Sequence, residues 1–340
     1  MKALFIGGTG TISMAITRSL ATNPDWELYL LNRGTRAAEI PAGVKTITAD
    51  VNDEAQTMKA LEGMTFDCVC DFIGFVPAQL ERDIRLFKGK TKQFMFISSA
   101  SAYQKPLSNY RVNEATPLAN PYWQYSRNKI ACEEYLMKCY RNSGFPITIV
   151  RPSHTYDERN LPLGAHGDNG SWQIIKRMLE GKPVIIHGDG TSLWTITFNT
   201  DFAKGFIGLM GNIHAIGEVY HITSDESVTW NQIYAIVADE LGVEFKPYYV
   251  PSDFLDAVSR YDFRGGLLGD KSNTVVFDNS KVKRAVPDFV CTVRADQGLR
   301  KTVRNMLATP ALQREDPEFD QLCDRIIAAL EAAKEAILKG

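Results

Sequence analysis

Tyr125 and Lys129 stand four residues apart in Tyr122-Trp123-Gln124-Tyr125-Ser126-Arg127-Asn128-Lys129, a stretch that reads as the opening of a helix. Side chains at i and i+4 share a helix face, so the Lys ammonium can lie beside the Tyr phenol and favour its ionised form. That is a way to make a base. A free phenol ionises near pH ~10, and bringing it to about 7 takes roughly 4 kcal/mol of selective stabilisation of the phenolate. One lysine does not easily supply that. In a chain with 13 Tyr the spacing is also common by chance, so its weight rests on what positions it.

Strands and helices alternate through the first half. The spacing of apolar residues predicts strands at Lys2 to Ile6, Glu27 to Leu31, Val44 to Ile47, Cys68 to Phe72, Gln93 to Ile97 and Ile147 to Val150. Helical stretches fall between them at Met14 to Leu20, Glu54 to Leu61, Pro77 to Phe87 and Tyr125 to Ser143. This order implies right-handed crossovers and an α/β fold, a doubly wound parallel Rossmann sheet. After Arg151-Pro152 the chain turns Gly- and Asn-rich, then mixes short strands (Val184 to Ile186, Val219 to Ile222, Lys246 to Val250) with helices. We expect a dinucleotide-binding domain over 1–165 plus about 195–223. A smaller mixed α/β C-terminal substrate lobe takes 166–194 and 224–340. From Pro317 on, Phe319, Leu322, Ile326, Ile327, Leu330, Ala333 and Ile337 recur at helical spacing, an amphipathic helix expected to pack on the domain or on a second subunit.

The chain has 340 residues, 44% hydrophobic and 23% charged, the composition of an ordinary globular protein. A net charge of −2 offers no footprint for nucleic acid or an anionic membrane. Met1 to Ile6 already reads as a strand, which leaves no room for a secretory signal, and no apolar run reaches spanning length. A cytoplasmic location is expected. The six Cys are scattered, and Cys68-Val69-Cys70 has neither a zinc nor a thioredoxin spacing, so all six are expected as reduced thiols. His166, His187, His214 and His221 show no metal-ligand spacing, and no metal is expected.

Gly7-Gly8-Thr9-Gly10-Thr11-Ile12-Ser13 follows the first strand and opens the first helix, the context that gives a Gly cluster meaning. Gly7 permits a tight turn and Gly10 lets backbone approach a pyrophosphate, while the amides of Thr11 and Ile12 face the anion. Ser13 stands where a third Gly often does and is small enough for close packing. The second strand ends in Asn32-Arg33, where a site for NAD usually has an acid for the ribose 2′-hydroxyl. Arg33, with Arg36 behind it, suits a 2′-phosphate, so NADP is favoured over NAD. Asp50-Val51 is placed to meet the adenine; a solvated loop acid is the other reading of Asp50.

With these residues in view the chain resembles the NAD(P)-dependent epimerase/dehydratase family of extended short-chain dehydrogenases/reductases, which includes sugar-nucleotide 4-epimerases. The landmarks run in order from the Gly turn through Asp50-Val51, Asp71-Phe72-Ile73-Gly74, Phe96 to Tyr103, Tyr125 to Lys129, Arg151-Pro152-Ser153-His154 and Gly188-Asp189-Gly190-Thr191. The resemblance implies that Tyr125 is the acid/base, that Lys129 lowers its pKa and holds the nicotinamide ribose, and that Ser99 hydrogen-bonds the reacting oxygen. It also implies that Phe72, Ile73 and Pro152 line the cofactor site. An oxidised nicotinamide adds the positive charge that Lys129 alone lacks. Substrate contacts are expected from Ser101, Tyr103, His154, Trp194 and Arg264. Where many sugar-nucleotide enzymes place an Arg for the diphosphate, this chain has Leu193-Trp194, and Trp stacks on a flat face but cannot pair with phosphate.

The reading is therefore an enzyme acting on a secondary alcohol or ketone of a sugar-like small molecule, as epimerase or dehydratase, or alternatively as an NADPH-dependent carbonyl reductase. A different class is an RNA-binding relative without catalysis, because the Gly turn and Asn-Arg-Gly also resemble chloroplast stem-loop-binding relatives of the epimerases. Balanced charge argues against nucleic acid. A homodimer through the helix bearing Tyr125 is what the resemblance implies.

Overall fold

The structure, a computed structural model, describes residues 1–35 and 39–340. Two compact units emerge: Met1–Thr155 with Thr197–Asp225 and Phe277–Thr292, and Tyr156–Ile196 with Glu226–Val276 and Val293–Gly340. The division differs from the expected one at two places. Phe277–Thr292 groups with the first unit, because the helix Ser280–Ala285 packs on the strand Val219–Ile222 and the helix Asn199–Leu209. Residues 156–165 group with the second.

In the first unit the chain runs β1 (Lys2–Ile6), α1 (Thr11–Ala21), β2 (Glu27–Asn32), β3 (Lys45–Thr48), α2 (Glu54–Ala60), β4 (Cys68–Asp71), α3 (Pro77–Phe87), β5 (Phe94–Ile97), α4 (Gln124–Ser143) and β6 (Ile147–Pro152). These six strands and Val219–Ile222 form a seven-stranded sheet in the order β3-β2-β1-β4-β5-β6-Val219–Ile222. Its registers are parallel throughout. Strand order reverses beside β1, so a crevice opens at the carboxyl ends of β1 and β4.

Alternation along β1 shows why the sheet is covered on both sides. Ala3 and Phe5 pack with Ile16 and Leu20 of α1 and with Phe202 and Phe206, whereas Leu4 and Ile6 pack with Leu80 of α3 and with Cys132 and Leu136 of α4. All six Cys are free thiols. Pro77 opens α3, where its missing N–H costs nothing. Gly144 closes α4 at φ +66°, a left-handed end that glycine takes without strain.

The second unit is smaller in its sheet and richer in helix. Strand Val184–His187 pairs in parallel with Pro247–Val250. Helix Trp230–Leu241 begins at Thr229, whose hydroxyl accepts from Gln232 N at 3.1 Å. The terminal helix Pro317–Lys339 buries Phe319, Leu322 and Ile326, and Arg177 reaches it through Asp320 at 2.6 Å. Its apolar stripe is covered only in the first half: Ile337 is 80% exposed.

Candidate active site

The turn between β1 and α1 is built by three glycines with separate tasks. Gly7 and Gly8 take φ of +99° and +107°. A Cβ on Gly8 would also stand 2.6 Å from Leu30 Cδ2 in the core. Gly10 caps α1 without a side chain, its N–H donating to Ser13 Oγ at 3.0 Å. Ser13 is buried and spaces helix from sheet as its size predicts. The first turn of α1 carries no acid, so its partial positive charge faces the crevice uncompensated.

In front of this turn lies a recess of about 430 Å³ lined by Gly7, Gly10, Asn32, Arg33, Asp50, Val51, Phe72 and Ile73, all expected there, with Gly8 and Thr35 in addition. Asn32 Oδ1 accepts from Gly34 N at 2.9 Å, which turns the chain and leaves Arg33 exposed at the rim. Asp50 Oδ1 accepts from Asn52 N at 2.9 Å, so it shapes its own loop while lining the recess. Arg36 lies outside the described residues.

A second recess, of about 290 Å³, shares Gly10, Ser13 and Phe72 with the first and is lined further by Thr11, Ile12, Ser99, Tyr125, Lys129 and Pro152. The residues expected for chemistry thus come together at one end of the crevice. Lys129 is only 2% exposed, and Nζ donates to the main-chain oxygens of Gly74 at 2.6 Å and Ile97 at 2.7 Å. Burial pulls its pKa down to about 8, against the opposing negative charge of Asp71. The half-buried ring of Tyr125 packs 4.8 Å from Trp123 and 6.4 Å from Phe75, centroid to centroid. Ser99 follows β5 by two residues; its Oγ accepts from Ser101 N at 3.2 Å, so it caps backbone while lining the recess.

Of the residues expected at the substrate, the three in the first unit, Ser101, Tyr103 and His154, do not line this recess. Ser101 is buried, its Oγ accepting from Ser126 at 2.7 Å. Tyr103 is 1% exposed because its ring is covered by the Arg151 guanidinium and its hydroxyl is paired with His221 Nδ1 at 3.0 Å. Trp194, in the second unit, is 2% exposed and stacks on Trp230 at 5.5 Å, where apolar burial outweighs any availability to a ligand. His154 is half-buried in a short strand after β6, and Ser153 beside it lines the recess instead. Arg264 is exposed in the second unit, 3.9 Å from Asp256.

Two features escaped the sequence. Asp71 and Asp83 are fully buried, each with an Oδ2 that no protein donor reaches, and their side chains stand within hydrogen-bonding range of each other. Burial pushes both carboxyls up, and for Asp83 the neighbouring charge of Asp71 adds to it. Asp71 Oδ1 also fixes the turn beneath Lys129 by accepting from Ile73 N at 2.8 Å. The second feature is the buried ion pair Glu133–Arg151. Each pair joins two different elements, which gives no local spacing from which either could be read.

A 2′-dehydrokanamycin reductase of Streptomyces kanamyceticus is 25% identical over 280 residues, 79% of this chain and 78% of that one. An uncharacterized UDP-glucose epimerase of Bacillus subtilis is 31% identical over 192 residues, 56% of this chain and 53% of that one. Among solved structures, the UDP-glucuronic acid 4-epimerase of Bacillus cereus in complex with UDP-glucuronic acid and NAD superposes with a TM-score of 0.72 at 20% identity, covering 91% of this chain and 99% of that one. The glycine turn, the Asp50 loop and the Tyr125–Lys129 helix all fall inside residues 3–223, the span that matches the family itself. By that span the chain belongs to the NAD dependent epimerase/dehydratase family and is an enzyme of that kind.

Proposed function

We propose that the protein transfers hydride between an NADP cofactor and a secondary alcohol or ketone on a sugar-like substrate, with Tyr125 as acid/base. The observation that carries this reading is the continuity of the two recesses: one wall runs from Arg33 past the α1 N-terminus to Tyr125 and Lys129. The cradle fits a dinucleotide on three counts, the uncrowded space where a Cβ would stand at Gly10, an α1 N-terminus with no side-chain cap and the absence of an acid in the first helical turn. A bound nicotinamide supplies the site with a hydride acceptor or donor. Tyr125 then takes the proton of a substrate hydroxyl, or returns it to a ketone oxygen, while the Lys129 ammonium favours phenolate. Ser99 Oγ donates to the same oxygen. Support for NADP comes from Arg33 at the rim and from Asn32, which brings no carboxylate to a 2′-phosphate.

A reductase is the second reading, and one observation favours it. The relative matched over more than three quarters of both chains is named as a reductase of 2′-dehydrokanamycin. Cofactor titrations with NADPH and NADH, followed by assay of 2′-dehydrokanamycin, UDP-glucose and UDP-glucuronic acid, separate the readings. Net NADPH consumption marks a reductase, and turnover with retained cofactor that stays oxidised, with no net change in it, marks an epimerase. Tighter binding of NADH than of NADPH would contradict the cofactor assignment.

A further inference from the structure

Tyr125, Lys129 and Glu133 recur at every fourth residue of α4 and so share one face of the helix. The first two line the catalytic recess, whereas Glu133 does not. It is 3% exposed, and its carboxylate is saturated by donors from two strands. Oε1 accepts from Ser98 Oγ at 2.5 Å and from Arg151 Nε at 2.9 Å, and Oε2 accepts from Arg151 Nη2 at 2.5 Å.

Ser98 itself lines the recess, and both donors are chain neighbours of residues that line it. Ser98 precedes Ser99 at the end of β5, and Arg151 precedes Pro152 at the end of β6. Arg151 is itself held on its other side. Its guanidinium lies 4.7 Å from the Tyr103 ring centroid, and Tyr103 is anchored through its hydroxyl to His221 on the next strand. His221 Nε2 lies 2.8 Å from the Asp278 carbonyl, which closes the series.

A buried ion pair is poor evidence of net stabilisation, since apolar residues of like volume often do as well. What a fork-to-carboxylate contact supplies that apolar packing does not is direction. Here the direction is shared by the helix carrying Tyr125 and the two strand ends carrying Ser99 and Pro152. We propose that Glu133 is a positioning residue for the reaction: through Ser98 and Arg151 it sets where Ser99 and Pro152 stand relative to Tyr125, without touching substrate or cofactor. This rests on the assignment of Tyr125 as acid/base.

Glu133→Ala would strand a buried guanidinium and invites unfolding, so the test uses two gentler variants. Glu133→Asp keeps the charge and withdraws the carboxylate by one carbon, and the pair Glu133→Met with Arg151→Met removes both charges at similar volume. Each is assayed beside Tyr125→Phe with whichever of 2′-dehydrokanamycin, UDP-glucose or UDP-glucuronic acid the parent turns over fastest. We expect kcat to fall on the order of 10²-fold in both variants, the size of effect that a small misplacement produces. KM, cofactor Kd and thermal midpoint stay near those of the parent. Parental kcat in the folded Met pair would overturn the proposal while Tyr125→Phe still slows turnover. Loss of cofactor affinity in step with kcat would likewise reduce Glu133 to a structural part. Unimpaired turnover in Tyr125→Phe would remove the functional reading and this inference together.

Discussion

The Lys129 ammonium lies 5.7 Å from the centroid of the Tyr125 ring, yet both of its hydrogen bonds go elsewhere, to the carbonyls of Gly74 and Ile97. Lys129 is therefore held by the ends of β4 and β5, not by the phenol. In the proposed mechanism it acts on Tyr125 through its field, and one of its three N–H groups remains beyond these two bonds.

Burial sets the pH range of that field. The folded pKa of Lys129, about 8, lies below the ordinary value of 10.5. Between those values the unfolded chain binds the extra proton, so this group's contribution to stability rises with pH across that window and is unfavourable below it. Activity runs the other way, because losing the ammonium removes support from phenolate. The kcat/KM profile of the parent should fall as pH rises through about 8. Lys129→Arg should move that limb upward, since guanidinium does not titrate there. A flat profile across the alkaline range would contradict the assignment.

Arg33 lines the rim of the first recess, and the proposed cofactor preference rests on it. A charge-assisted contact contributes about 1.5–3 kcal/mol. Arg33→Ala should accordingly weaken NADPH binding by about tenfold to a hundredfold and leave NADH within about twofold, as read by fluorescence titration. Equal losses for both cofactors would place Arg33 on the adenine ring or in solvent.

Gly8 combines a left-handed φ of +107° with a core side chain 2.6 Å from where a Cβ would stand. Gly8→Ala should destabilise the first unit by about 1–3 kcal/mol, seen as a lower urea midpoint, and weaken cofactor binding. Gly63 takes φ +67° with open space around it, so Gly63→Ala should cost less and spare the cofactor.

Tyr103 distinguishes an interior role from a substrate contact. Tyr103→Phe leaves His221 Nδ1 without its partner and should cost about 1–3 kcal/mol of stability with KM unchanged. A raised KM at parental stability would restore Tyr103 to the substrate.

These outcomes bear on what the sequence made legible. Helix α4 and its Tyr125–Lys129 face, the glycine turn and the alternation of the strands are local patterns, and each was readable because its cause lies within a few residues. Ser99 was placed by the family resemblance, and it lines the recess while capping backbone. Tyr103 and Trp194 were expected at the substrate, Trp194 because its ring can stack on a flat face. Their partners, His221 with Arg151 and Trp230, come from distant segments and take them inside. Glu133 carried no signal for the same reason: its meaning depends on Ser98 and Arg151, which only the sheet brings together.

The central claim is that one proton passes through Tyr125, and Tyr125→Phe tests it most directly, because the ring and its contacts remain while the ionisable oxygen goes. With NADP binding unchanged, the account predicts that turnover of the best substrate falls by roughly 10²- to 10⁴-fold. A variant that binds NADP like the parent and keeps turnover within about twofold would contradict it.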